Sequence, residues 1–511
     1  MAAIEYKEYV MNAGYLLPPS LADFLGSEDE VHAFAEVTEG LDISCLDSGF
    51  SGMGQHPYHP RMLLRLLMWG MANGVVSTRK IEVLAHRDVS FVYLAGGQRP
   101  DYRTLARFRR RNVKAIKGLF KETVMLCARL GMVNLGHVCL DGTKLKANSS
   151  RHKAMSYGRM KEEERRLEGE IEELMRQAEA VDSEEDRVFG KDNQGYHLPD
   201  ELKRREDRLK KIRGLRQELE EEKREEQGLG EGEVPLIEEK EQRSFADREA
   251  RMMLMKRGEF DYGYNGQLCT DEGEGVIVAA DLSNQGSDMG HLPGMVEEVR
   301  ELKQELGLTG EDERETQMSA DSGYLSAENI QAEGKGIELL IASGRERKEE
   351  DRESKDGRVY SLKRFCYDKE GEGWRCPGGR LLRLEGEVGD GKRRYVCDDC
   401  AGCRLRAHCL KAGEDRRVLV VEEGQIILGE MRARMKRPEK QAVYRKRKWV
   451  AEQPIGQIKE GMGFRGVSVR GQIYACGQWV FACAVHNVMK AVRFVIKSRR
   501  SGVREVALAV A

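Results

Sequence analysis

The stretch HVCLDGTKLKANSS, residues 137–150, carries an apolar β-type run into a single carboxylate, Asp141, followed at once by Gly142 and then by Lys144 and Lys146. A core strand has no need of a charge at its end, whereas a site that holds a metal ion beside a polyanion does. A second aspartate, Asp321, has the same setting in MSADSGYLS (318–326), with Gly323 two residues on. Glycine allows a sharp turn and close approach of a substrate. A hard divalent cation such as Mg2+ (or Mn2+) takes oxygen ligands, usually one or two carboxylates with phosphate and water. Two such ions about 3.5–4 Å apart stabilise both the attacking and the leaving oxygen in phosphoryl transfer. Asp281 and Asp288 compete with these two on the same grounds. A third acid, Glu452, follows the basic stretch YRKRK, and Lys459 lies seven residues further on. Seven residues are two helical turns, so both can share a face. Pro454 predicts that the helix starts near it, with Glu452 in the opening turn. A basic surface helix with ordinary Glu–Lys pairs would look the same.

The cysteines form a second constellation. Six of the twelve fall within 366–409, and the run from Cys397 through Cys400 and Cys403 to Cys409 has metal-ligand spacing. Thiolates favour tetrahedral zinc. Cys376, Cys397, Cys400 and Cys403 are the expected Zn2+ ligands, with Cys409 in reserve; an iron–sulfur cluster or free thiols are the alternatives. The N-terminus lacks a secretory pattern, which predicts a reducing, cytoplasmic setting rather than disulfides.

Charge is unevenly spread. The formal net charge is −2, yet residues 103–117 hold seven Arg or Lys and no acid, among them Arg107, Arg109, Arg110 and Arg111. Residues 432–448 hold nine against Glu439 alone. Two basic patches in a neutral chain point to a polyanion, although each could be a solvated helix face.

The elements that must position these residues read as follows. Residues 59–112 are short helices joined by turns, the last one arginine-rich, which fits a helix-turn-helix-like DNA reader or a plain helical bundle. Ser77 or Thr78 can cap one helix, and Pro100 and Asp101 precede the last. Leu167, Ile171, Leu174, Ala178 and Val181 step by 4 and 3, as Leu202, Leu209, Ile212, Leu215 and Leu219 nearly do; FGKDNQGYHLPD (189–200) breaks the two runs. That predicts an antiparallel coiled-coil hairpin. HVCLD, YNGQLCTD (264–271) and GVIVAADLS (275–283) are three strands in succession; ELKQELGL is helical, and Ser326 can cap AENIQAEG before a strand at IELLIAS (337–343). The result is a mixed α/β sheet. IYACGQWVFACAVHNVM (473–489) reads as a buried helix of a soluble protein, with no membrane span and with His486 a satisfied core residue.

CLDGTKLKANSS, GYNGQLCTDEGEGVIVAADL, ADSGYLS and AEQPIGQIKEGMGFRGVSVRG resemble, in order, the blocks of bacterial insertion-sequence transposases of the DDE type, over roughly 50–490. The resemblance implies an RNase H-like core split by insertions, with an α-helical N-terminal domain. Its parts would be 1–130 (DNA-binding head), 131–157, 259–345 and 429–511 (core), 158–258 (coiled-coil insertion) and 346–428 (Cys-rich insertion). It matches Asp141, Asp321 and Glu452 to the three metal-binding catalytic acids, Lys459 to a following lysine, and Tyr444 and Arg447 to a preceding tyrosine and arginine; Lys448 stands where relatives often carry arginine. Lys144, Lys146, Arg447 and Lys459 would hold phosphates. The implied substrates are double-stranded DNA, both the element's terminal inverted repeats and the target, with a homodimer on DNA at the nucleoid. A DNA-binding relic without catalysis and a metal-dependent nuclease without strand transfer are the rival readings.

Overall fold

The computed structural model of the protein describes residues 20–46, 57–189, 200–230, 232–255, 258–308, 315–344, 359–389, 391–411 and 413–501. The N-terminal part is helical, with α1 (Glu30–Glu39), α2 (Pro60–Ala72), α3 (Thr78–Arg87), α4 (Val89–Leu94), α5 (Tyr102–Arg111) and α6 (Ile116–Arg129). Short polar side chains start several of these helices by taking amides that the first turn leaves free. Asp88 accepts from Ser90 and Phe91, and Asp101 accepts from Thr104 at 2.7 Å. Ser77 occupies the cap position of α3, but its side chain makes no capping bond.

The central sheet is built from β1 (His137–Lys146), β4 (Arg251–Leu254), β5 (Phe260–Asp271), β6 (Ile277–Ser283), β7 (Thr316–Ala320) and β8 (Ile337–Ile341), while β2 (Ala154–Ser156) and β3 (Gln242–Ser244) make a separate ribbon. Its order is β4-β5-β1-β7-β8, with β6 also paired to β5. β5 runs antiparallel to β1, β4 and β6, whereas β1, β7 and β8 are parallel. Three consecutive antiparallel strands followed by helix–strand alternation are the expected mixed α/β sheet, consistent with an RNase H-like core. β4 lies inside the segment expected to be insertion; RMML is too short to show a period of two.

The charged segment forms α7 (Tyr157–Phe189) and α8 (Asp200–Glu226). Leu167, Leu209, Ile212, Leu215 and Leu219 are buried as the spacing predicts. Ion pairs Glu163–Arg208, Glu164–Arg216 and Glu170–Arg205 cross between the helices. The connecting residues 190–199, and the side chains of Ala178 and Val181, lie outside the described residues.

After α9 (Leu292–Glu305) and the short α10 (Ala327–Ile330), which Ser326 caps through the amide of Asn329, the cysteine-rich segment folds as a sheet of its own. Strands β9 (Cys366–Asp368), β10 (Gly373–Arg375), β11 (Leu381–Glu387), β12 (Arg393–Val396) and β13 (Val418–Val421) are all antiparallel around buried Phe365, Trp374, Leu382 and Tyr395. A short α11 (Arg406–Cys409) completes it. α12 (Glu423–Met435) seats on this sheet at Gly429, where a Cβ would stand 2.5 Å from the Trp374 ring.

α13 (Pro438–Gly456) and α14 (Gln472–Arg500) close the fold. α14 is long and apolar enough to cross a membrane, but 78% of its most apolar window is buried within the protein, where it serves as the core helix. Trp479 is fully buried and donates its indole N–H to the Gln267 carbonyl at 3.0 Å; Gly266 makes room for the ring, since a Cβ there would meet it at 2.8 Å. Asn487 bonds both the amide and the carbonyl of Ile277. His486 meets the Gly275 carbonyl at 3.1 Å, and burial pushes its imidazole down to about 4, so it is the satisfied core residue expected. Trp479→Ala is expected to cost about 3–5 kcal/mol, read as a lower urea midpoint at unchanged m-value.

Candidate active site

The register of two parallel strands brings the first two acids together. Cys139 pairs with Ser319, so Asp141 and Asp321 each lie two residues past that pair and share one face. The 3.3 Å contact between Cys139 Sγ and Ser319 Oγ marks that face. α13 covers it, packing Val450 and Ala451 on Cys139. Ion pairs fix the helix there: Lys446 to Glu272 at 2.6 Å, which in turn pairs with buried His137 at 2.8 Å, and Lys440 to Glu338 at 2.5 Å. Two of the nine basic residues of 432–448, Lys440 and Lys446, are thus spent on holding α13 to the sheet rather than left for a polyanion.

Arg447 extends from this helix between the two aspartates. Its Nη2 lies 3.0 Å from Asp141 Oδ1 and 3.9 Å from Asp321 Oδ2. Its Nε is buried and has no hydrogen-bond partner. Burial pushes the Asp141 carboxyl up to about 6; Arg447 opposes this, and Asp321 adds to it. Asp321 also accepts the Gly323 amide at 2.8 Å. Tyr444 is half-buried on the same helix, and burial raises its phenol, with Arg447 opposing and Asp321 and Asp141 reinforcing.

The third acid is less closely placed. α13 begins with Pro438 at its first turn and runs through Pro454, so Glu452 lies near its end rather than in its opening turn. The proline sits inside the helix, which passes three residues later into a π turn, Gln457–Gly461. Glu452 is exposed and makes no ion pair or hydrogen bond among the described residues. Lys459 donates to the Lys144 carbonyl at 2.8 Å. Lys144 pairs with Asp288 at 3.2 Å, and Lys146 with Asp261 at 2.9 Å.

Asp288 is the residue whose place the sequence did not settle. Its Oδ1 accepts from Asn265 at 2.6 Å, Gln267 at 3.0 Å and Lys144. Burial would raise its carboxyl, but these donors hold it below the usual carboxylate range. A Cβ on Gly142 would stand 2.9 Å from its carboxylate, and one on Gly323 3.7 Å, so both glycines leave space for the Asp288 side chain. The signal available was the alternating polar pair Asn265 and Gln267 in the middle of a buried strand. Asp281 pairs across β5 with Gln267, which itself faces Gly142, so strand alternation puts it on the other face from Asp141; it meets Lys117 at 3.4 Å.

Two comparisons with known families decide the identity. Residues 375–492 match the family described as transposase DDE domain, and residues 20–111 match the transposase domain DUF772. These two matches indicate a DDE-type insertion-sequence transposase. The first match takes in Tyr444, Arg447, Glu452, Lys459 and the cysteines 376–409; it begins after Asp141 and Asp321. No curated protein and no solved structure matches the transposase.

Among the described residues of the transposase, no group of three or more His, Cys, Asp or Glu side chains stands ready to hold a metal ion. The cysteines nevertheless neighbour one another. Cys376 and Cys403 flank Gly378, their sulfurs 3.6 and 3.5 Å from its Cβ position. Burial raises the thiols of Cys397, to about 11, and of Cys409; Cys376 and Cys400 interact with both, and Cys403 with Cys409. Cys366 instead bonds the Tyr367 carbonyl. In the head, Arg107 and Arg111 are exposed, whereas Arg109 is half-buried against the core and Arg110 lies beside it.

Proposed function

We propose that the transposase cuts DNA at the ends of an insertion sequence and joins the freed 3′ ends to a target, in the cytoplasm at the nucleoid. The observation that carries this is the pair Asp141 and Asp321 in one register with Arg447 between them. The donor set is all oxygen, which suits Mg2+ or Mn2+, with Asp141 and Asp321 as ligands and Glu452 of α13 as the third. When bound, the metal supplies positive charge that activates the attacking oxygen and stabilises the leaving one. Arg447 presents a buried guanidinium whose Nε still lacks an acceptor, and a phosphate oxygen provides one. Lys144 and Lys459 border the same strand, and Tyr444 lines the helix side. Asp141 carries a raised carboxyl, so below about pH 6 it holds a proton that cation binding must release.

The test is incubation of the full chain with Mg2+ and DNA bearing the element's own ends. Cleavage followed by joining is the expected result. Cleavage without joining would make it a nuclease, and end binding without cleavage would make it a scaffold.

We also infer that the cysteine sheet holds a structural Zn2+ on four of Cys376, Cys397, Cys400, Cys403 and Cys409. Support comes from their mutual proximity, Cys376 and Cys403 about Gly378 and Cys397 and Cys409 each near Cys376 and Cys400. About one zinc per chain is expected by elemental analysis. Cys400→Ser should lose it and lower the melting temperature, whereas Cys366→Ser should keep it.

A further inference from the structure

A cleft of about 540 Å3 opens between the helical head and the start of the core helix α14. Its walls are apolar, with Ile81 and Val113 among them, and its rim carries Arg109, Arg110, Arg470 and Tyr474. No Asp or Glu lines it among the described residues. Among the described residues none of the three arginines has an ion pair or hydrogen bond. Arg109 is half-buried, and burial, with Arg110 beside it, lowers its guanidinium. The carboxylates at the start of α14 are already committed: Asp247 takes the Gly471 amide at 3.1 Å, and Glu249 takes that of Gln472. The cleft floor is set by bonds of its own, Asn148 to the Ser468 carbonyl at 2.8 Å and Gln478 to the Ser468 hydroxyl at 2.8 Å.

Three cations gathered without an acid are electrostatically costly unless an anion joins them. Tyr474 is 41% exposed at the same rim, an aromatic face open to stacking. A duplex lying on the surface would meet the arginines but has no use for an apolar cavity behind them. A nucleotide turned out of its stack would use both.

We propose that this cleft binds one nucleotide of the DNA, its phosphate against Arg109, Arg110 and Arg470 and its base against Tyr474 and the apolar wall. The assignment rests on the DNA-joining function proposed above. It gives α5 a second task, because part of its basic face then reads a strand held against the core rather than a free groove.

The test uses the full chain and three probes, deoxyadenosine monophosphate, deoxyadenosine and inorganic phosphate, each titrated to millimolar concentration by calorimetry and thermal shift. The monophosphate is expected to bind and to raise the melting temperature more than either fragment. Arg109→Gln with Arg470→Gln should abolish the shift, and Tyr474→Ala should weaken binding about tenfold, the scale of one lost stacking contact. Circular dichroism of each variant checks that it is folded. No binding by the wild type, or equal binding by these variants, overturns the proposal. Duplex binding and Mg2+-dependent cleavage by the wild type are measured alongside. If DNA is cut but the monophosphate does not bind, the cleft assignment falls alone; if the monophosphate binds as described but DNA is neither bound nor cut, the DNA-joining function falls instead.

Discussion

Asp141→Asn is expected to abolish DNA cleavage and to make the metal-free protein more stable at neutral pH. The carboxyl stands at about 6 in the fold, chiefly through burial, against about 3.9 in an unfolded chain. The folded state therefore binds more protons than the unfolded state between these values. Stability falls as pH rises through that window, and the whole cost is present above about pH 6. Two units correspond to at most about 3 kcal/mol, and the side chain retains 19% exposure, so a gain of roughly 1–2 kcal/mol is expected for the asparagine variant at pH 7.5. Asparagine still offers an oxygen to Arg447, so the contact at 3.0 Å need not be lost. The advantage should shrink as pH falls towards 4, and Mg2+ should stabilise only the wild type. Cleavage should fall by about 10^3-fold or more. Denaturation at pH 5 and pH 7.5, with and without Mg2+, reads the first effect, and cleavage of end DNA the second. A variant less stable than wild type at pH 7.5, or one that still cuts, would remove Asp141 from the site.

What could be read from the residues was whatever one local pattern encodes. HVCLDG reads as a strand that ends on Asp141, but β1 continues to Lys146, so the carboxylate stands mid-strand; the helical spacing of Leu209, Ile212, Leu215 and Leu219 does predict their burial. The buried α14, with a neutral His486, followed from an apolar run too polar at a few positions to face lipid. Pairing was harder. That Asp141 and Asp321 share a register depends on a parallel contact across 180 residues, which no local spacing encodes. Asp288 was a rival candidate that local pattern could not tell from Asp281; the convergence of Asn265, Gln267 and Lys144 on it is what separates the two. Pro454 misled, because a proline that ends most helices here sits inside one that passes into a π turn. The basic run 432–448 read as a single patch, yet Arg434, Lys440, Lys446 and Arg447 each spend their charge on acids of the core sheet or of the α10–β8 connection.

Arg447→Ala is expected to slow cleavage and yet tighten binding of divalent cation. The guanidinium is 15% exposed and lies between the two carboxylates, 3.0 Å from one and 3.9 Å from the other. It supplies there the positive charge that a metal would supply. A cation arriving between Asp141 and Asp321 meets a like charge that must shift towards the phosphate, for which its free Nε is suited. A divalent cation and a guanidinium about 5–6 Å apart repel by about 5–7 kcal/mol at an effective dielectric near 20, most of which the arginine relieves by swinging aside; removing it should still raise Mn2+ affinity roughly tenfold at pH 8. The gain should be smaller at pH 6.5. Without Arg447, Asp141 loses the partner that opposes its protonation, and its carboxyl rises further, so protons compete harder with the metal. Cleavage should fall about 10^2- to 10^3-fold, because the phosphate loses a preorganised donor. Arg447→Lys keeps the charge but not the fork, and should restore the weaker metal affinity with only part of the rate. Mn2+ titration of the DNA-free protein measures affinity apart from turnover. Affinity unchanged or weakened in the alanine variant would mean that the arginine does not occupy the place of the cation and that its effect on rate arises through phosphate alone.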